Sequence, residues 1–201
     1  WVVTAVNTGL VYYFYHDGSR REDIILDYIK GYRGAFQSDG FSPYRKMAKW
    51  LLRLACFQHV KRKLLDCGDD FDTKVIVRLA NYIYHQDHKH IIGEDGWTER
   101  DHYKWRQQYA LPVMRIIRKK LERMAADKSL LPKTEKYDAV HYMLNEWDGL
   151  MNIFTRGDYH LDNNLVERLN RYISLSRRNS LFFGSHTGAR RAAMFYSLAC
   201  S

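Results

Sequence analysis

Apolar residues recur at short intervals at the start of the chain and at helical intervals through its middle. Trp1–Val6 and Leu10–Tyr15 read as strands, and Asn7-Thr8-Gly9 between them is a hairpin signal. Asp17-Gly18-Ser19 is a turn. Asp23–Tyr32 reads as a helix, because Ile24, Ile25, Tyr28 and Ile29 share a face and Gly31 and Gly34 follow it. Ala35–Ser38 is a short strand ending at Asp39-Gly40. Pro43 opens a short helix that runs through Trp50, and Leu51–Phe57 is a further strand. From His59 to about residue 155 helical periodicity dominates, in Lys74–Tyr84, Val113–Met124 and Tyr137–Phe154, with Gly93–Gly96 and Ser129–Lys133 as connections. Asp162–Ser201 reads as two helices around a loop at Asn179–Gly188. The order strand, strand, helix, strand, helix, strand predicts an α/β fold with a mixed sheet, followed by a large helical block.

A length of 201 residues, 46% of them apolar, is enough to bury a core and excludes a disordered chain. No run approaches the ~18 apolar residues of a membrane span. Trp1–Val6 lacks a signal peptide's basic region and cleavage site. The abrupt strand at Trp1 and the uncapped helical run at Ala192–Leu198 give the expectation of a segment cut from something longer. Three cysteines at irregular spacing point to a reducing, cytoplasmic setting rather than a disulfide scaffold. The net charge of +9 favours a polyanionic partner, and nucleic acid is the usual one.

Two acids stand out. Asp39, at a strand end before glycine, can project from the carboxyl edge of a sheet, where α/β proteins place ligands. Ser-Asp-Gly is also an ordinary turn. Glu167, in Leu161–Arg171, lies early in a helix. Asn164-x-x-Glu167 fits a capping box, which spacing alone favours over the other reading, a carboxylate aimed at a metal. Mg²⁺ takes oxygen ligands and keeps several waters, so a few carboxylates from separate elements suffice. After Tyr137 the cations are seven arginines and no lysine: Arg156, Arg168, Arg171, Arg177, Arg178, Arg190 and Arg191. Arginine's planar fork grips phosphate oxygens. Arg190 and Arg191 fit a solvated face as well. Cys56-x-x-His59 and the group His85, His88 and His90 lack the paired spacing of a structural zinc site. Cys56 is then a buried strand residue, the three later histidines surface residues, and the tryptophans packing residues. No phosphate-binding glycine loop or nucleophile motif is present.

Four segments together resemble the transposases of the insertion sequence 66 family, bacterial enzymes of the DDE superfamily with a ribonuclease H-like core. They are Gln37–Tyr44, with the second catalytic Asp; Ala55–Lys63, like Cys-x-Ala-His-x-Arg-Arg-Lys; Leu161–Arg171, like the Asp-Asn-Asn-x-x-Glu-Arg helix; and Ser176–Ser185, like Gly-Arg-Lys-Asn-Trp-Leu-Phe-x-Gly-Ser. The chain departs from that pattern at Gln58, Lys61, Ser176 and Ser180.

The resemblance implies a ribonuclease H-like mixed sheet flanked by helices, with an all-helical insertion between the second Asp and the Glu. Residues 1–58 would be the first part of the core, 59–155 the insertion and 156–201 the helices that complete the core. Asp39 and Glu167 would hold Mg²⁺ or Mn²⁺ with a first Asp expected on a strand before Trp1, so the fragment alone is expected to be inactive. Asn163, Asn164, Arg168, Arg171, Arg177, Arg178, His59 and Arg62 would contact double-stranded DNA, at the element's ends and the target. The implied protein works in the bacterial cytoplasm, at the nucleoid, as a homo-oligomer on DNA. An inactive DNA-binding or assembly protein descended from such an enzyme is the alternative, and a helical interaction module is a more distant one.

Overall fold

The computed structural model describes residues 1–19, 21–68, 70–180 and 183–201, with the backbone alone at 177, 179 and 180. The chain forms two packing units, Trp1–Tyr32 with Asn163–Ser201, and Arg33–Asp162.

In the first unit, Gly9 takes φ +71°, the left-handed conformation that a tight reversal needs. Strands β1 (Val2–Ala5) and β2 (Leu10–Tyr13) therefore pair antiparallel, with Val2 opposite Tyr13. Helix α1 (Glu22–Ile29) buries Ile24, Ile25 and Ile29 and stacks Tyr28 on Phe14, ring centroids 4.0 Å apart. Two long helices near the end of the chain also belong here: one at Asn164–Ser180 and one at His186–Cys200. Leu169 of the former packs with Val11 and Tyr13 of the hairpin, and the Tyr13 hydroxyl donates to the Leu169 carbonyl at 2.7 Å.

The outer edge of β2 is met by side chains instead of a strand. Ser197 and Ser201, one turn apart, accept from the Tyr13 and Val11 N–H groups at 2.8 and 2.9 Å, while their own hydroxyls donate one turn back, to the Ala193 and Ser197 carbonyls at 2.8 Å. Backbone groups that a neighbouring strand would pair are thereby satisfied by a helix.

In the second unit, β3 (Ala35–Ser38) leads through α2 (Ser42–Lys46) and a 3₁₀ turn at Met47–Lys49 to β4 (Leu52–Ala55). The strands pair in parallel, Ala35 opposite Leu52 and Ser38 opposite Ala55. A helical series follows: α3 (Phe57–Asp66), α4 (Phe71–Asp87), α5 (Glu99–Trp105), α6 (Leu111–Ala126), α7 (Glu135–Asn145) and α8 (Trp147–Ile153). In chain order the terminal helices of the first unit are then α9 (Asn164–Ser180) and α10 (His186–Cys200). The core of the second unit joins Leu54 and Ala55 of β4 to Phe57, Val60 and Leu64 of α3, and to Ile76, Met114, Ile117, Leu121, Val140 and Leu150 of later helices.

Helix α5 passes into α6 through a π-helical turn, Arg106–Ala110. Arg106 is 1% exposed there. Its guanidinium bonds Asp87 of α4 and the carbonyls of Ile153, Arg156 and Tyr159.

The α/β class holds, but the expected mixed sheet is resolved among the described residues as two two-stranded sheets, β1–β2 and β3–β4. Side-chain groups take up outer-edge positions of both: the serines on β2, and Asn152 Nδ2, which donates to the Arg53 carbonyl of β4 at 2.9 Å. The expected strand Leu51–Phe57 is shorter than its apolar run. Phe57 turns out of it, opens α3, and donates its N–H to the Leu161 carbonyl at 2.8 Å. Among the described residues no helix is long and apolar enough to cross a membrane.

Candidate functional site

Asp39 follows the last residue of β3 and is partly buried. Its Oδ1 accepts the Phe41 N–H at 3.1 Å, an Asx-type turn that starts the path into α2. Its carbonyl accepts from the Ser38 hydroxyl and from Arg53 Nη2, each at 3.0 Å.

Arg53 stands on the neighbouring strand, opposite Phe36. It is 5% exposed and ion-paired with Glu146, which is 1% exposed. Glu146 lies at the junction of α7 and α8 and also takes Arg45 of α2, Nε to Oε1, at 2.9 Å. One buried carboxylate thus ties together α2, which follows the Asp39 turn, and β4, which pairs with the strand before it. Removing one partner of such a group leaves an uncompensated buried charge.

Tyr142, one turn before Glu146, covers the same turn. A Cβ on Gly40 would collide with its hydroxyl and ring. Burial, then the neighbouring charges of Glu146 and Asp39, push the Tyr142 phenol up to about 12. Lys63 Nζ sits 4.9 Å from its ring centroid. Gly149 of α8 sits against Ala55 and Arg53, so close that an added Cβ would lie 3.0 Å from the Ala55 Cβ.

His59 and Arg62 lie one turn apart on α3, His59 half-buried and Arg62 exposed. Cys56 is buried at the N-cap of α3. Nearby, Tyr84 Oη donates to Asp162, and Lys61 Nζ lies 5.2 Å from the Tyr84 ring centroid. Burial drives the Lys61 ammonium below its ordinary range. His85 and His88 are exposed. His90 is half-buried instead of lying on the surface, because its ring stacks on Trp97, centroids 4.2 Å apart. Among the described residues no three His, Cys, Asp or Glu side chains gather into a metal-binding group.

Glu167 belongs to the other unit. It lies in the first turn of α9, half-buried, and its N–H bonds the Asn163 carbonyl at 3.2 Å. That bond puts Asn163 at the N-cap, so the helix starts one residue earlier than an Asn164 cap requires. Helical geometry turns Glu167 away from Leu169 and the hairpin, and sets Arg171 and Arg178 near its own stripe, with Arg168 beside it. Arg168, Arg171 and Arg178 are exposed. The Arg177 side chain, with Leu181 and Phe182 of the same run, lies outside the described residues. Arg190 is engaged structurally, paired with Asp17 at 2.6 Å.

Arg53, Glu146, Tyr142 and Arg45 were not singled out from the sequence. The available signal was Arg53 itself, a charge inside the apolar strand Leu52–Ala55, which demands a buried partner.

The sequence profile of the family described as Transposase IS66 family matches residues 1–191. Among curated proteins the chain is similar to the uncharacterized protein y4jD of Sinorhizobium fredii (strain NBRC 101917 / NGR234), 30% identical over 182 residues, covering 85% of this chain and 34% of that one. It is also similar to the uncharacterized protein y4qI of the same strain, 28% identical over 202 residues, covering 94% of this chain and 36% of that one. The chain therefore spans about a third of the length of these relatives. No solved structure matches it.

Proposed function

Because this chain belongs to the transposase IS66 family, we propose that it carries the second and third acids of a DDE transposase catalytic domain. Its substrate is double-stranded DNA, and its reaction is cleavage at the element's ends followed by joining of the freed 3′-hydroxyl to target DNA. In this reading the four strands belong to a ribonuclease H-like core, 59–155 is the insertion, and 156–201 brings the last acid. The first Asp is expected on a strand before Trp1. The assembly works as a homo-oligomer on DNA in the bacterial cytoplasm, at the nucleoid.

The observation that carries this reading is the setting of Asp39. Its backbone carbonyl is held from two sides and its Oδ1 by Phe41 N–H, while among the described residues none holds Oδ2. A fixed carboxylate with one oxygen in reserve at a strand end suits a metal ligand better than a simple turn residue does. Carboxylate oxygens also fit Mg²⁺ or Mn²⁺, the hard cations that take such donors. Asp39 and Glu167 would hold the ion with the upstream Asp. When bound, it would activate the attacking oxygen and stabilise the leaving one.

The chain's own residues do the rest. Arg168, Arg171, Arg177 and Arg178 grip phosphates of the strand being cut. Asn163 and Asn164 begin the Glu167 helix and reach the backbone beside it, and His59 and Arg62 add contacts from α3. Contacts of this type orient DNA without reading its sequence.

The test uses a longer protein that includes the upstream Asp. Glu167→Gln and Asp39→Asn should each abolish Mg²⁺-dependent end cleavage and leave DNA binding intact. Cleavage at the unaltered rate in either variant removes that residue from the metal site. A wild-type protein that binds DNA but never cleaves it would instead be an inactive descendant serving in binding or assembly.

A further inference from the structure

Helix α7 lies within the segment read as an insertion, more than a hundred residues after the Asp39 turn that its Tyr142 touches. We propose that Tyr142 and Glu146 of this segment are positioning residues for Asp39: Glu146, through Arg53, fixes the Asp39 carbonyl, and Tyr142 closes over Gly40. This inference rests on the reading of Asp39 as a metal ligand.

Three observations carry it. First, Glu146 is bonded to Arg45 of α2, just after the Asp39 turn, and to Arg53 of β4, the strand paired with β3. The Arg53–Glu146 pair is buried on both sides, while Arg45 reaches Glu146 from the surface, 40% of its side chain exposed. A buried pair such as Arg53–Glu146 contributes little net stability compared with an apolar replacement, but it sets geometry. Second, Gly40 does not adopt a left-handed backbone; the positive-φ glycines are others, such as Gly9 and Gly18. Glycine is needed at position 40 for space alone, and the Tyr142 phenol fills that space. Third, Tyr142 and the C-cap Glu146 are separated by one helical turn, so one side of the end of α7 reaches the Asp39 carbonyl through Arg53 and the Cα side of Gly40 directly.

Groups that orient a metal ligand without touching the metal typically change metal affinity or activity ~10–100-fold when altered. In the longer protein containing the upstream Asp, Tyr142→Phe and Gly40→Ala should therefore raise the Mg²⁺ concentration for half-maximal end cleavage by at least about tenfold. DNA affinity should stay within error of wild type in both, as should the urea midpoint of Tyr142→Phe, while Gly40→Ala, which forces the Tyr142 ring to move, lowers its midpoint. Mn²⁺, which binds such sites more tightly, should restore much of the lost cleavage in both variants, but none in Asp39→Asn. Glu146→Gln should move in the same direction; where it fails to fold, Tyr142→Phe and Gly40→Ala decide. Wild-type Mg²⁺ dependence in both of those variants, beside a dead Asp39→Asn, overturns the positioning role alone. Wild-type cleavage by Asp39→Asn overturns the metal-ligand reading on which it rests.

Discussion

The guanidinium of Arg106 meets the carboxylate of Asp87 with two parallel hydrogen bonds, Nε to Oδ1 at 2.8 Å and Nη2 to Oδ2 at 2.9 Å. His102 adds a third contact, Nε2 to Oδ1 at 3.0 Å. The other guanidinium contacts, to the carbonyls of Ile153, Arg156 and Tyr159, secure the chain beyond α8. The pair is thus the junction of α4, α5 and the segment that leaves α8.

Replacing Arg106 by Met strands a buried carboxylate and several carbonyls. Breaking a buried pair in this way is expected to lower stability by ~3–5 kcal/mol, read from urea unfolding. Arg106→Lys keeps the charge but not the fork, and should recover only part of the loss. A Met variant within about 1 kcal/mol of wild type would mean that the pair is dispensable.

The same pair makes stability fall in acid. Burial works to raise the Asp87 carboxyl, but His102 and Arg106 outweigh it and hold the group below its ordinary range. A depressed folded pKa means that the stabilisation is complete above the unfolded value, ~3.9, and is lost as pH falls through the lower folded value. Asp70 behaves alike. Burial opposes its ionisation, yet the Thr73 hydroxyl and N–H, with Lys136, lower it to about 2. Its side chain caps α4, accepting the Thr73 N–H at 3.2 Å. Asp70→Ala should lower stability at neutral pH by ~0.5–2 kcal/mol and flatten the decline between about pH 4 and pH 2. An unchanged acid profile would refute the capping role.

The serines of α10 give a sharper readout than global stability. Ser197→Ala with Ser201→Ala leaves the Tyr13 and Val11 amides without their side-chain acceptors, at a loss of ~1–3 kcal/mol for each group left unsatisfied. Hydrogen exchange should speed up at those two amides, while amides in the β1–β2 ladder, such as Tyr12, change little. Equal acceleration throughout the hairpin would point to general loosening instead.

The proposed DNA contacts of α9 can be tested by salt. Replacing Arg168 or Arg171 by Ala should weaken binding alike for all sequences and reduce the slope of log affinity against log salt by about 1 for each phosphate contact removed. A slope that stays constant in both variants would move the phosphate contacts off α9.

The hairpin, the Ala35–Ser38 strand and the long helices were legible because their signals are local: turn residues at Asn7-Thr8-Gly9, and apolar spacing in Val113–Met124. What was not legible depends on distant partners. Nothing in Leu52-Arg53-Leu54-Ala55 reveals that the arginine meets a glutamate near residue 146, or that Gly40 is glycine to make room for Tyr142. Strand-edge partners were hidden for the same reason, because Ser197 and Ser201 look like ordinary helix residues until the helix is laid along β2. The acids Asp39 and Glu167 stood out by type and context, while the groups that hold Asp39 in place appeared only with the fold.

The π turn at Arg106–Ala110 works as a phase corrector. Inward residues recur at His102, Arg106, Ala110 and Met114, four apart each time, and then at Ile117, Leu121 and Met124 with ordinary spacing. An unbroken α-helix would drift ~40° per four-residue step, and α5 and α6 would present different sides to the core. The wider turn absorbs that drift within five residues. The segment therefore carries a register that counts residues rather than identities. Conservative substitutions on its outer side, at Gln108 or Tyr109, leave the register intact. Deletion of a single residue there would restore regular winding with inward positions alternately four and three apart, and would keep the apolar stripe of α6 in the core; insertion of one residue would swing that stripe round by about 100°.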